Sequence, residues 1–438
     1  KMQNINLKNK KKSSLFANFV NNVIHKPSPE VQKNFMDVSL KIAGTIKKIC
    51  EDEKLIIKIP YQGKNFWNKG KNYESCFVDG GVFSSVESSS APFAIRSKSY
   101  IVKPTNPLTD REKFEETIAY MGDLYDSKNN IYDLSEDPYE DNQLLNKKKD
   151  AARIIFEIAC LVKHVFDKQK FDYCFLHGPL QTPVMPFSGP EFPQFKKQVV
   201  KNILPFLNFD KKEEKINERH FINIYFQSIQ FLLNSKFPIF GIVERTNSSV
   251  YLKNLLFRSF KKGKVAENDY NKMLSTMVRY KINDGNLFSL ILSDCQALKP
   301  LEVDKQIPTR GLGGFSEWET QITSFPKIHV GYLKTNSHQA PIRIESLKKS
   351  KDLIKDYEYI LASSKLLPNY GFPAGLDVVD KAAKIPAWLG RAAKSYYSKY
   401  YLDLAIESKN SKNISSALKM LQGGRVWRNR PKAGKVKK

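Results

Sequence analysis

Hydrophobic positions recur along the chain with two spacings, one typical of helices and one typical of strands. Helical spacing predicts helices over residues 31–50, 150–168, 195–207, 218–233, 351–363 and 376–401. Apolar runs bounded by turn residues predict strands at 76–78, 93–102, 171–176, 237–243, 287–292, 328–333 and 342–344. Because strands alternate with helices, the pattern predicts a mixed α/β domain, a sheet flanked by helices.

The two ends of the chain differ from its middle. Residues 1–55 begin with an acid-free lysine run, which predicts a basic arm and an N-terminal helical extension that includes a helix at 15–24. Residues 406–438 end in a polybasic tail. We assign residues 56–405 to one domain with a helical insertion near 185–235, and the acidic segment 123–141 to a loop or insertion.

The charge balance identifies the class of partner. The 438 residues hold 71 Lys and Arg against 45 Asp and Glu, a formal charge of +26 that attracts polyanions. Nucleic acid is the default partner, and an anionic membrane is the rival. The longest apolar run, 154–162, is far below the ~20 residues of a membrane span, so we expect no membrane crossing.

Cysteine usage and the first residues indicate a compartment. The five cysteines form no CxxC pair, which predicts neither a zinc module nor a disulfide framework. The lysine-rich start lacks the apolar segment of a signal peptide, so we expect a cytoplasmic protein. There is no GxxxxGK[ST] motif, so we expect no ATP-driven activity from this chain.

Three residues of different chemistry lie on or beside apolar elements. Asp79 precedes two glycines after a strand, which suits either a metal ligand or a hairpin turn. Glu157 interrupts an apolar helix, so its carboxylate must meet a metal, meet a Lys or Arg side chain, or reach solvent. His177 ends a strand, where it is either a metal ligand or a hydrogen-bonded turn residue.

The C-terminal half offers weaker candidates. Asp377 and Asp380 begin a helix, where acids also balance the helix dipole. Arg343 and Glu345 share a strand face and are either a phosphate contact with its orienting partner or a surface ion pair. Aromatic residues interleave with Arg391 and Lys394, a mixture that stacks bases in nucleic-acid sites but is also common in cores.

Six segments occur here in the order in which the NurA nuclease family carries them, and the chain resembles that family over about residues 74–385. The segments are Val78-Asp79-Gly80-Gly81, Glu157, Leu176-His177-Gly178-Pro179-Leu180, Ile239-Phe240-Gly241-Ile242-Val243-Glu244, Tyr332-Leu333-Lys334 running to Arg343-Ile344-Glu345, and Phe372-Pro373-Ala374-Gly375-Leu376 running to Asp380. The resemblance implies an RNase H-like fold. It also implies a dimer with a central channel that docks on a hexameric HerA-type DNA translocase.

The resemblance further implies a site of Asp79, Glu157, His177 and Asp380 that holds Mn²⁺ or Mg²⁺. His177 stands where the family has Asp, and Asp380 stands where it has His. The two ligand types are exchanged, so the numbers of carboxylate and imidazole ligands are unchanged. Phe372 replaces a family Tyr. The cations predicted to contact nucleic acid are Arg245, beside a Glu244 that replaces the usual Lys, and Lys253, Arg343, Arg391 and Lys394.

These expectations define three hypotheses. The first is a metal-dependent DNA nuclease that works with a HerA-type ATPase in DNA end processing or antiviral defence. The second is a catalytically decayed, DNA-binding subunit of such a complex. The third is an adaptor for an acidic protein or an anionic membrane, which would not bind DNA even at low salt.

Overall fold

The protein is described by a computed structural model that covers residues 29–61, 63, 66–67, 73–84, 93–126, 138–189, 192–207, 217–306, 318–367 and 370–415. Its helices are α1 (Pro29–Asp52), α2 (Pro138–Phe166), α3 (Lys197–Ile203), α4 (Phe221–Leu232), α5 (Val250–Lys261), α6 (Glu267–Arg279), α7 (Asp284–Ile291), α8 (Glu319–Ser324), α9 (Leu353–Ser364), α10 (Ala374–Ala383) and α11 (Ala387–Glu407). Its strands are β1 (Ile56–Lys58), β2 (Ser75–Ser84), β3 (Phe93–Val102), β4 (Glu112–Gly122), β5 (Tyr173–His177), β6 (Ile239–Val243), β7 (Gln296–Val303), β8 (Ile328–Leu333) and β9 (Ile342–Ser346).

Five strands pair in the order β6-β5-β2-β3-β4. Strand β2 runs antiparallel to β3, which runs antiparallel to β4, whereas β2, β5 and β6 are parallel. Helix α2 connects β4 to β5. Three antiparallel strands followed by a helix and two strands parallel to the first are the strand order of the RNase H-like fold. The predicted mixed sheet flanked by helices is therefore confirmed.

Helices cover both faces of strand β2, as two adjacent glycines show. A Cβ on Gly80 would meet the Glu157 side chain of α2, and a Cβ on Gly81 would meet the Ala383 backbone of α10. Because successive residues of a strand point to opposite faces, α2 and α10 lie on opposite faces of the sheet. Strands β5 and β6 are buried over four of their five residues, as expected for parallel strands that helices cover on both sides.

The chain divides into two compact units. One contains Pro60–Glu244, Glu302–Val330 and the chain from Ile344 onward, and it carries the five-stranded arrangement. The other contains the described residues up to Ile59 with Arg245–Leu301 and Gly331–Arg343, and in it β1 pairs antiparallel with β7. The predicted boundaries at residues 55 and 405, and the insertion near 185–235, stay predictions.

Several predicted elements need correction. Residues 287–292 were predicted as a strand, but they lie in and next to α7, where the Asn283 side chain accepts the backbone N–H of Asn286 and caps the helix. A short apolar run fits a buried helix as well as a strand, so its periodicity alone does not separate the two. The predicted helix 376–401 is two helices, α10 and α11, with Pro386 immediately before the second.

The predicted turn at Asp79 is also wrong. Strand β2 continues through Asp79, Gly80 and Gly81 and pairs with β3 as far as Ser84. Strands β1, β4 and β7 were not predicted. The predicted helix 15–24, the basic arm and most of the basic tail lie outside the described residues, and so does most of the segment 123–141.

Candidate metal centre

Asp79 and His177 meet on neighbouring parallel strands. The register pairs Val78 of β2 with Leu176 of β5, so the two residues that follow lie side by side. Nδ1 of His177 lies 2.9 Å from Oδ2 of Asp79, and the other Asp79 oxygen accepts the Gly80 backbone N–H at 2.8 Å. Asp79 is 4% exposed, and these two hydrogen bonds hold its carboxylate in place.

Asp380 completes a cluster of three. Asp79, His177 and Asp380 each offer one ligand atom, and these atoms lie within 4.8 Å of one another. Asp380 belongs to α10, on the sheet face to which Asp79 points, and its Oδ2 lies 2.7 Å from Nζ of Lys384. Asp377, one turn earlier, instead pairs with Lys381 at 2.6 Å. Of the two predicted acids, Asp380 therefore faces the cluster.

Glycines allow α10 to approach the sheet closely. A Cβ on Gly81 would lie 2.2 Å from the Ala383 carbonyl oxygen, and a Cβ on Gly375 would lie 2.4 Å from the Phe77 ring. Both distances are shorter than real Cβ contacts, so any side chain at either position would push the helix away. The second glycine of Asp-Gly-Gly thus has a packing role that brings Asp380 toward Asp79.

Arg96 fixes the end of the same helix. Its guanidinium donates to the carbonyl oxygens of Ala382 at 2.7 Å, Ala383 at 3.0 Å and Lys384 at 2.5 Å. The last carbonyls of a helix have no partners within it, and a cation there also favours the helix dipole. Sequence reasoning missed Arg96, because nothing in its surroundings on β3 distinguishes it from other arginines.

Glu157 lies on the opposite side of β2, against Gly80. It is 4% exposed, and its Oε1 accepts a hydrogen bond from Nη1 of Arg153 at 2.7 Å, so of the three alternatives the basic side chain is present. Burial raises the pKa of Glu157; Arg153 opposes this, whereas the nearby Asp79 charge adds to it. Glu157 is not part of the three-residue cluster found among the described residues.

His177 is biased toward its charged form. Burial disfavours a charged imidazole, but the hydrogen bond and charge of Asp79, together with Asp380 and Glu157, hold the pKa of His177 above its usual value. The ring lies 5.5 Å from that of Phe372, centroid to centroid. His177 therefore lies close to three acids, Asp79, Asp380 and Glu157.

The donor set fits a divalent cation. The two carboxylates and one imidazole lie close enough together to bind one cation. Mn²⁺ binds both oxygen and nitrogen ligands, whereas Mg²⁺ prefers oxygen ligands. Without a cation, Lys384 balances the charge of Asp380, and a protonated His177 balances that of Asp79. A cation that binds to the imidazole would displace the proton from His177, because only the neutral ring is a metal ligand.

The predicted nucleic-acid contacts belong to several different segments of the chain. Arg245 is exposed, and Lys253 of α5 is half-buried. Arg343 is 7% exposed and donates to Oγ1 of Thr246 at 2.9 Å, which argues against a direct phosphate contact. Arg391 and Lys394 belong to α11, but their side chains lie outside the described residues.

The strand order and the cluster at the end of β5 define an RNase H-like α/β protein with a candidate metal centre. Residues 217–385 match the family model of the NurA domain. This similarity to the NurA domain agrees with the resemblance seen in the sequence. The matched segment includes Asp380, whereas Asp79, Glu157 and His177 precede it.

Solved NurA structures are similar over most of the chain. The NurA nuclease from Sulfolobus solfataricus is 9% identical with a TM-score of 0.46, and the similarity covers 85% of this chain and 97% of that one. A NurA bound to dAMP and manganese is 11% identical with a TM-score of 0.41, covering 82% and 94%. No protein with a curated description matches the chain. Within the described ranges, no helix has both the length and the hydrophobicity of a bilayer span.

Proposed function

We propose that this protein is a metal-dependent DNA nuclease that hydrolyses phosphodiester bonds at the cluster of Asp79, His177 and Asp380. The observation that carries the proposal is the convergence of these three ligand atoms within 4.8 Å, from segments that the NurA resemblance had marked separately. The NurA domain match over residues 217–385 supports the same activity. Mn²⁺ and Mg²⁺ are the proposed cofactors.

Each side chain has a distinct role in this proposal. Asp79 and Asp380 hold the cation, and Asp79 also orients the His177 ring through Nδ1. A divalent cation held by these residues would supply positive charge to the reacting phosphate and lower the pKa of an attacking water. Glu157 of α2 lies against Gly80, the residue that follows Asp79, and burial raises its pKa toward the range in which a carboxylate accepts a proton near neutral pH.

The wider assignments rest on charge and on the family resemblance. The formal charge of +26 supports non-specific attraction to DNA, with Arg245 and Lys253 as the proposed contacts among the described side chains. We also propose a homodimer that works in the cytoplasm with a HerA-type hexameric translocase. DNA end processing and defence against foreign DNA are the two proposed contexts.

A decayed, DNA-binding subunit is the second candidate. Two observations favour it: Lys384 already neutralises one oxygen of Asp380, and Phe372 beside His177 has no hydroxyl group where the family has tyrosine. In this case the basic surface would remain functional and the cluster would no longer support hydrolysis.

Cleavage assays separate the two candidates. Labelled single-stranded and double-stranded DNA are incubated with wild type, Asp79→Asn and Asp377→Asn over a Mn²⁺ titration. Asp377→Asn is the matched control, because it removes an acid one turn from Asp380 but outside the cluster. We expect cleavage by wild type and by the control, and loss of at least ~100-fold in Asp79→Asn. Equal cleavage by all three proteins would refute the nuclease assignment.

A further inference from the structure

A lysine-rimmed cavity lies at the other end of the parallel strands. It has a volume of about 510 Å³ and is formed by the segments that enter β6 and α9 and the one that leaves β9. Ile239, which lines it, pairs with Cys174, whereas Ile242 pairs with His177. Three residues of strand therefore separate the cavity wall from the level of the metal cluster, a distance of roughly 10 Å along the strand.

The rim of this cavity is strongly cationic. All five of its lysines are exposed: Lys236, Lys348, Lys349, Lys351 and Lys355. Its two acids are engaged locally, since Asp352 caps the N-terminus of α9 by accepting the Lys355 backbone N–H at 3.1 Å, and Asp356 accepts the Ser350 hydroxyl at 2.6 Å. The cavity therefore has a net charge of +3, which attracts an anion.

The inner wall is apolar. It includes four buried side chains, which present fixed apolar surface: Leu232, Phe237, Phe240 and Leu347. A small inorganic anion would use only the rim. A nucleotide unit has both parts, since its phosphate carries charge and its sugar and base carry apolar surface that packs against such a wall.

We infer that this cavity binds a nucleotide phosphate, with the lysine rim on the phosphate group and the apolar wall on the attached sugar and base. The phosphate belongs either to the backbone of a bound nucleic acid or to a free nucleotide. The site is separate from the metal cluster and does not depend on cleavage, although the choice of DNA as a probe rests on the proposed function. Its lysines act as point charges that fix no base sequence.

Binding measured without metal tests this inference independently of catalysis. The proteins are wild type, Lys236→Ala/Lys351→Ala, and the control Lys33→Ala/Lys41→Ala, which makes the same charge change at exposed positions of α1. The probes, in EDTA, are a fluorescein-labelled single-stranded oligonucleotide, followed by anisotropy, and ADP, followed by calorimetry. A Lys236→Arg/Lys351→Arg variant keeps the charge, and thermal unfolding verifies that all variants fold.

If the backbone is the source, the alanine variant binds the oligonucleotide about tenfold more weakly than the control, and its salt dependence of log K is shallower by roughly 1.4, the value for two phosphate contacts. If a free nucleotide is the source, ADP binding is lost and oligonucleotide binding is unchanged. In either case the arginine variant binds as wild type does. Binding of both probes to the alanine variant as tightly as to the control overturns the inference. Absence of Asp79-dependent cleavage would refute the nuclease assignment alone.

Discussion

Nδ1 of His177 lies 2.9 Å from Oδ2 of Asp79, although 98 positions of sequence separate the two residues. The parallel register of β2 and β5 produces this contact, because it places the residues after Val78 and Leu176 next to each other. The contact joins the imidazole at the end of β5 to a buried carboxylate in the middle of β2. The first prediction below tests this part of the candidate metal centre.

Exchange of the two ligands tests whether His177 and Asp380 occupy equivalent positions around one cation. We expect His177→Asp and Asp380→His, made singly, to lower Mn²⁺-dependent cleavage by about 100-fold, because each changes the balance of carboxylates and imidazole. The double variant restores that balance and should recover to within about tenfold of wild type. Cleavage rates at saturating Mn²⁺ check this. A double variant no better than either single variant would contradict the shared centre.

Gly81→Ala should destabilise the fold and weaken the cation site together. Its Cβ would lie 2.2 Å from the Ala383 carbonyl oxygen, a backbone atom that cannot rotate away, so α10 must move and carry Asp380 with it. We expect a loss of about 1–3 kcal/mol in the free energy of unfolding and weaker Mn²⁺ binding by calorimetry.

Gly44→Ala is the matched control for this substitution. Gly44 lies in α1, and a Cβ there meets nothing within 4 Å. We expect a gain of roughly 0.5–1 kcal/mol from helix propensity and no change in Mn²⁺ binding. Equal effects of the two substitutions would show that the Gly81 contact does not position α10.

Arg153 should set the acidic limit of activity through Glu157. Burial raises the pKa of Glu157 from its usual value to about 7, and Arg153 limits that rise. Arg153→Met removes the limiting charge, so Glu157 stays protonated to higher pH and the acidic limb of the cleavage profile should move up by about 1 unit. Arg153→Lys keeps the charge and should leave the limb near its wild-type position. Single-turnover rates between pH 5.5 and 9 measure the shift, and an unmoved limb in Arg153→Met would exclude Glu157 as the titrating group.

His220 should make stability depend on pH. Its Nδ1 accepts the Ile222 backbone N–H at 3.3 Å at the start of α4, and burial lowers its pKa to about 4. The unfolded chain binds a proton at this ring below about pH 6.5, whereas the folded protein does so only near pH 4. Stability contributed by the neutral ring is therefore complete above pH 6.5 and is lost as the pH falls toward 4.

His220→Asn isolates this effect, because asparagine also caps helices but does not titrate. Between pH 7 and pH 4.5 the free energy of unfolding of wild type should fall relative to that of the variant by about 2 kcal/mol. Urea denaturation at the two pH values measures the difference. The buried His164, whose pKa is also lowered to about 4, is present in both proteins and cancels. Parallel pH dependences would show that the neutral His220 ring does not stabilise α4.

The sequence predicted the chemistry of the site better than its geometry. Asp79, His177 and Asp380 were each marked by their motifs, and the structure brings them together. Glu157 was predicted to meet a metal, meet a Lys or Arg side chain, or reach solvent, and it meets Arg153, four residues away on the same helix. These predictions depend on local burial and on the position of a residue in its own element, which a sequence can show.

Long-range contacts explain what could not be predicted. The partners of Arg96 are 286 to 288 positions away, and no local pattern encodes such a distance. The role of Gly81 depends on how closely α10 approaches, which only the folded sheet determines. Residues 287–292 were predicted wrongly for a local reason. The capping side chain of Asn283 starts a helix there, and the apolar run by itself does not distinguish a helix from a strand.

The guanidinium of Arg96 links the candidate metal centre to the antiparallel part of the sheet. Through it, strand β3 holds the last turn of α10, while strand β2, its neighbour, carries Asp79. If the β2–β3 hairpin separated from α10, Asp79 would move away from Asp380. The site would then lose its affinity for a cation before the rest of the fold opens. By thermodynamic linkage, a bound cation would in turn suppress that local opening, so metal loading should protect the amides of β3 from hydrogen exchange.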